Sequence, residues 1–197
     1  MNITPDHWLD IAKRVHLKGG SDMLVRRFLV IHFTAGASAL SSISWWQDPK
    51  ARGASAHFVI DRDGAIYQCR PCNKTAGHAG SSAWRDPKTK KYYTNLNSCS
   101  IGIELVNGGN VYPTKFSDIP PTKAAHKNGG SVKDWETYSS AQLAACEMLS
   151  RVLCERYNLD DVVGHDDIAP NRKVDPGPAF PMELLRKACG FEGLPRP

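Results

Sequence analysis

His165, Lys173 and Asp175 fall within one Pro- and Gly-punctuated stretch, Gly164-His165-Asp166-Asp167-Ile168-Ala169-Pro170-Asn171-Arg172-Lys173-Val174-Asp175-Pro176-Gly177-Pro178. A neutral imidazole and an aspartate are both good zinc ligands, and about ten residues of irregular chain can curl back to bring them to one ion. The third candidate is His32, which ends the apolar run Phe28-Leu29-Val30-Ile31 just before Thr34-Ala35-Gly36 marks a strand end. Three protein ligands leave a fourth position for water, the arrangement of catalytic rather than structural zinc.

An ion held in this way lowers the pKa of its water from about 15.7 toward roughly 7. Amide hydrolysis then needs a base that takes the water's proton and passes it to the leaving nitrogen, a role open to Glu104 if its strand face looks into the site. It also needs a cation for the developing oxyanion, and Lys173, two residues before Asp175, is placed for that. Taken singly these residues have bland readings: a satisfied core histidine, a surface glutamate, a turn-forming aspartate, a solvated lysine. Only their combination favours chemistry.

The elements that must position them are legible in outline. Phe28 to Phe33 reads as a central strand covered on both faces. A short helix is expected over residues 41–47, stopped by Asp48-Pro49. Two runs, residues 57–60 and 65–68, flank Arg62-Asp63-Gly64 and predict an antiparallel hairpin. In Ser100 to Val106, alternation sends Ile101, Ile103 and Leu105 to one face and Gly102, Glu104 and Val106 to the other. Residues 139–157 carry Leu143, Cys146, Leu149, Val152 and Leu153 at helical spacing, with Ser139-Ser140 as caps. A last strand over 161–164 delivers His165, and a terminal helix over 182–188 closes near Gly190. The sum is an α/β fold, a mixed central sheet with helices packed on it. Residues 77–95 and 107–135 resist assignment to regular elements and read as groove walls or mobile loops, the second with Pro113, Pro120, Pro121, Gly129 and Gly130.

At 197 residues the chain can bury roughly 70% of its unfolded surface in one core, so one domain over residues 1–197 is expected. With 41% hydrophobic and 23% charged residues the composition is that of a globular protein, and nothing in it spans a membrane. The net charge of +5 is dispersed, which argues against nucleic acid and mildly favours an anionic polymer. Asp6, Asp10, Lys13, Arg14 and Lys18 interrupt the N-terminal apolar positions, leaving no signal-peptide core and pointing to a cytoplasmic location. The six cysteines lack the density of a disulfide scaffold and read as reduced thiols; Cys69-Arg70-Pro71-Cys72 has the spacing of a redox or zinc motif but no second such pair.

Four segments, Val30-Ile31-His32-Phe33-Thr34-Ala35-Gly36, Ser55-Ala56-His57-Phe58-Val59-Ile60-Asp61-Arg62-Asp63-Gly64, Ser100-Ile101-Gly102-Ile103-Glu104-Leu105-Val106 and the stretch from His165 to Pro178, together resemble the zinc-dependent N-acetylmuramoyl-L-alanine amidases of type 2. The resemblance runs in matching order over residues 26–188 and is nearest to the cell-wall recycling branch, with similarity also to phage endolysins and peptidoglycan recognition proteins. It implies a peptidoglycan recognition protein-like amidase fold and a single zinc ion on His32, His165 and Asp175, with Glu104 as catalytic glutamate and Lys173 as transition-state lysine. It further implies a substrate of peptidoglycan or muropeptides and a groove contact for His78, in Ala76-Gly77-His78-Ala79-Gly80. Some phage members carry a tyrosine where this chain has Ala56, a residue that glutamate-using branches do not need. His57 is expected to pack or hydrogen-bond within its strand, and His7, His16 and His126, which sit in no motif, are expected at the surface of a monomer.

The rivals are a recognition module that binds peptidoglycan without cutting it, and a protein in which zinc only staples the fold. Binding-only members typically lack a metal ligand, whereas all three candidates are present here. Recycling in the cytoplasm and endolysin action on the wall after release both fit the sequence.

Overall fold

The computed structural model describes residues 1–194 and Arg196. Its centre is a six-stranded mixed sheet built from β1 (Lys13–Arg14), β2 (Phe28–Phe33), β3 (Phe58–Ile60), β4 (Ile66–Gln68), β7 (Ser100–Leu105) and β10 (Asp161–Gly164), in the order β1-β4-β3-β7-β2-β10. Strands β3, β7, β2 and β10 run parallel, β4 pairs antiparallel with β3, and β1 closes the far edge parallel to β4. Hairpins β5 (Ala83–Arg85) with β6 (Tyr92–Thr94) and β8 (Thr122–Ala124) with β9 (Lys133–Trp135) form separate two-stranded ribbons.

Period-2 alternation divides the core. Leu29 and Ile31 of β2, Ile101, Ile103 and Leu105 of β7 and Val162 of β10 pack with Cys146, Leu149 and Leu153 of helix α2 (Ser140–Tyr157). Phe28, Val30 and Val163 face the other way, against Ala79, Trp84, Leu96 and Ile168. His32 continues the second set, so the site lies on the face of the sheet opposite α2. Truncating a fully buried α2 side chain such as Leu149 to alanine would cost on the order of 2–5 kcal/mol.

Caps set the helix boundaries. Ser139 accepts from Gln142 N at the start of α2, and Asn158, in the left-handed conformation, ends it. The buried Gln142 amide donates to Ile60 O (3.1 Å) and Val106 O (2.9 Å), tying α2 to the ends of β3 and β7. Helix α1 (Ala39–Gln47) begins two residues before the expected start because Ser38 caps it, accepting from Ser41 N at 3.1 Å. The one-turn α3 (His165–Ile168) and α4 (Met182–Ala188) are the other α-helices among the described residues.

Two expectations need correction. Residues 77–95 and 107–135 are not free of regular structure, since each carries one of the hairpins. The segment after Gly164 is likewise not irregular throughout, because its first four residues form α3. All six cysteines are free, and burial pushes the Cys69 and Cys72 thiols up to about 12, leaving them protonated and poor nucleophiles. Among the described residues no helix is long and apolar enough to cross a membrane.

Candidate metal centre and active-site cleft

The parallel pairing of β10 with β2 sets Gly164 beside Ile31, so the residues that follow, His165 and His32, lie side by side at the C-terminal ends of the two strands. Asp175 returns to them through a tight reversal. Ala169 O accepts from Arg172 N (3.0 Å) and Lys173 N (2.9 Å), and Asp175 O accepts from Asp166 N (2.8 Å). His32 Nδ1, His165 Nδ1 and Asp175 Oδ2 then form a triangle with sides of 2.9, 3.0 and 2.9 Å. All three residues are buried.

The outer partners of the imidazoles fix the character of the triangle. His165 Nε2 lies 3.1 Å from Ala79 O, which only accepts, and 3.4 Å from Arg172 Nη2, which only donates; the shorter contact assigns the proton to Nε2 and leaves Nδ1 with a lone pair. His78 Nε2 reaches Ser100 O (3.4 Å) and Ser100 Oγ (3.3 Å). Its Nδ1 is then the acceptor for His32 Nε2–H at 2.9 Å, which leaves His32 Nδ1 bare as well. Two nitrogen lone pairs and a carboxylate oxygen converge with no hydrogen between them, an arrangement that repels itself unless a cation occupies the middle. Burial first, and then the neighbouring His165, lower the His32 pKa to about 4, keeping it a neutral ligand. The nitrogen and oxygen donor set, with three ligands and a free vertex, suits zinc.

Glu104 stands beside this triangle, paired in register with His32 across β7 and β2. Its Oε2 is buried without a hydrogen-bond partner among the described residues. Burial, reinforced by the Asp175 charge and opposed by Lys173, raises its pKa to about 8. With Thr34, Ser41, Ser42, Trp45 and Trp46 it lines a cleft of about 290 Å3, walled on one side by α1. Lys173 is half-buried, and its charge acts on both His32 and Glu104.

His78 is not part of the Glu104 cleft: in place of the groove contact expected from its motif, it is buried behind His32, in T-shaped contact with that ring at 5.1 Å. Gly102 makes this possible, because a Cβ there would lie 2.6 Å from His78 Cγ. His57 is buried, accepting from Gly102 N (3.0 Å) and donating to Lys74 O (2.8 Å). His16 is exposed and His7 half-buried, but His126 is not a surface residue: it is buried against Asp166 Oδ2 at 3.0 Å. Sequence reasoning missed Ser100, Ala79 and Arg172, whose Nη2 donates to Ala79 O (2.8 Å) and Ser81 O (2.9 Å) and so steadies the carbonyl that orients His165. For Ser100 and Gly102 the signal was available, since alternation puts both on the Glu104 face.

Comparison with known proteins points to one family. The family profile described as N-acetylmuramoyl-L-alanine amidase (Amidase_2) matches residues 22–178. The chain is 34% identical over 168 residues to the N-acetylmuramoyl-L-alanine amidase AmiD of Escherichia coli K12, covering 81% of this chain and 51% of that protein. It is 34% identical over 134 residues to the 1,6-anhydro-N-acetylmuramyl-L-alanine amidase AmpD of the same strain, covering 67% and 56%. It thus spans about half the length of these curated relatives. The solved complex of E. coli AmiD with anhydro-N-acetylmuramic acid-L-Ala-D-γ-Glu-L-Lys superposes with a TM-score of 0.63 at 34% identity, covering 85% of this chain and 58% of that one. AmpDh3 of Pseudomonas aeruginosa in complex with anhydromuramic pentapeptide gives 0.61 at 31% identity, covering 85% and 60%. With a profile match that spans most of the chain and contains both histidines, the aspartate, Glu104 and Lys173, this chain belongs to the Amidase_2 family of N-acetylmuramoyl-L-alanine amidases.

Proposed function

We propose that this chain is a zinc amidase that hydrolyses the bond between the lactyl group of N-acetylmuramic acid and the L-alanine of the stem peptide. The observation that carries the reading is the convergence of three bare donor atoms beside a buried, unpartnered carboxylate. His32, His165 and Asp175 would hold one zinc ion, which when bound acidifies water and polarises a carbonyl. Glu104 takes the proton of the attacking water and returns it to the leaving nitrogen; a carboxyl with a raised pKa suits both halves of that task. Lys173 meets the negative charge that develops on the carbonyl oxygen. The cleft along α1 offers Trp45, half exposed, as an apolar wall for the substrate. The anhydro-muropeptides held by the AmiD and AmpDh3 structures make that class the favoured substrate over intact murein.

The test is incubation of zinc-loaded protein with anhydro-muropeptides and with murein sacculi, followed by mass spectrometry for separated stem peptides. Cleavage that a chelator stops and zinc restores, with circular dichroism unchanged, supports the reading. Muropeptides left intact by zinc-loaded protein indicate a binding module, and a fold lost together with the metal indicates a structural ion.

A further inference from the structure

Behind α1 the fold holds a buried positive charge that has no carboxylate partner among the described residues. Arg70, just after β4, is 7% exposed. Its Nη2 donates to Lys18 O at 2.8 Å, while Nε and Nη1 are buried with no hydrogen-bond partner among the described residues. Burial lowers its pKa, and the neighbour that opposes the shift is the Cys69 thiol rather than a carboxylate. The chain is shaped to lie on this guanidinium: Gly19 and Gly20 pass over it at φ 91° and 84°, and a Cβ on Gly20 would lie 2.5 Å from Arg70 Nη1. Any other residue at position 20 would push the segment off.

Arg70 forms part of the wall of a cavity of about 410 Å3, together with His16, Lys18, Trp46 and Gln47, and no aspartate or glutamate lines it. Trp46 lines the Glu104 cleft as well, so one side chain borders both spaces. Buried cations in folded proteins are as a rule paired. Because the guanidinium charge is spread over three nitrogens, an anion in this cavity is attracted to it even though Nε and Nη1 are closed to solvent, and the side chain of Lys18 adds to that attraction. We propose that this cavity is an oxyanion subsite that takes a phosphate or carboxylate group between Arg70 and Lys18. If the carboxylate belongs to a stem peptide, the inference rests on the amidase reading; if the anion is phosphate, it stands apart from it.

The experiment is calorimetric titration of zinc-loaded protein with inorganic phosphate, for the wild type, Arg70→Met and Lys18→Gln. Saturable binding is expected in the wild type, weakened about tenfold or more by Arg70→Met and a few-fold by Lys18→Gln. Lys18 is exposed, so its variant keeps the test alive if Arg70→Met does not fold. Equal affinity in all three proteins would place the phosphate elsewhere, on the metal for instance, and overturn the proposal, as would a wild type that binds neither phosphate nor peptide. Competition with L-Ala-D-γ-Glu-L-Lys separates the sources: displacement of phosphate assigns the site to a stem carboxylate, and no displacement assigns it to a phosphate group. Amide hydrolysis is assayed separately, so its absence with phosphate binding intact would sink the amidase reading and not this one.

Discussion

His32 and Glu104 are register partners on adjacent parallel strands, and the same register continues through β3, where Val59 lies opposite Glu104. Residues paired in this way project to the same face, so the backbone of the sheet holds the distance between a metal ligand and the proposed base. Glu104 contributes no atom to the His32, His165 and Asp175 triangle. Glu104→Gln is therefore expected to bind zinc as the wild type does while losing about 10²- to 10⁴-fold in kcat. Metal content by plasma emission, together with turnover on muropeptides, checks it; a variant with wild-type turnover removes Glu104 from the mechanism.

Glu104 also predicts how metal-free stability depends on pH. Its pKa is raised from 4.5 to about 8, chiefly by burial. Between those values the unfolded chain releases a proton that the folded chain keeps, so the contribution of Glu104 to stability is fully present below about pH 4.5 and is lost as pH rises to about 8. Glu104→Gln has no such loss. In chelator its stability should rise relative to the wild type across that window, by at most about 5 kcal/mol and less if the site relaxes. Urea melts at pH 5 and pH 8 measure the difference; a gap independent of pH would mean that Glu104 titrates normally.

Much of this site was legible before any coordinates. The strands β2, β7 and β10 are covered on both faces or alternate strictly, and the position of Glu104 on the face away from Ile101, Ile103 and Leu105 follows from alternation alone. The two ribbons were not legible, because strands of three residues with one buried side chain or none, such as Tyr92–Thr94, are too short to show a period, and Pro and Gly dominate the second segment. Each ribbon has one buried side chain within its strands, Trp84 or Trp135. His126 gave no sign of burial because its partner Asp166 is 40 residues away and both lie outside regular strands. His78 was misplaced for a related reason: a motif shows which residues travel together, not which of them stand in front.

Asp175 and His78 should separate direct ligation from support. Asp175→Ala removes one corner of the triangle and is expected to abolish zinc retention and activity together. His78→Ala leaves all three donors but frees the His32 ring to turn and to change tautomer, so zinc affinity should fall about 10- to 100-fold. Gly102→Ala should act in the same direction, because its Cβ would collide with the His78 ring. Competition with a chromophoric chelator reads all three; unaltered affinity in His78→Ala would reduce that residue to packing.

The tip of the second ribbon grips the metal-bearing loop. His126 Nε2 bonds Asp166 Oδ2, Lys127 Nζ lies 2.9 Å from Asp166 Oδ1, and Asn128 Nδ2 donates to Asp166 O (2.9 Å), while Asp166 N holds Asp175 O. Burial raises the Asp166 pKa and the Lys127 charge opposes it, so the carboxylate depends on these partners. His126→Ala removes one of them from a buried carboxylate that keeps Lys127, and should cost about 1–2 kcal/mol together with a measurable loss of zinc affinity. The exposed pair Lys123–Asp134 on the same ribbon supplies the contrast: Lys123→Ala should change stability by less than about 0.5 kcal/mol and leave zinc affinity alone. Thermal melts and chelator competition on both variants distinguish a clamp from a ribbon that merely covers surface, for in the second case His126→Ala would lower the melting temperature and leave zinc bound as tightly as before.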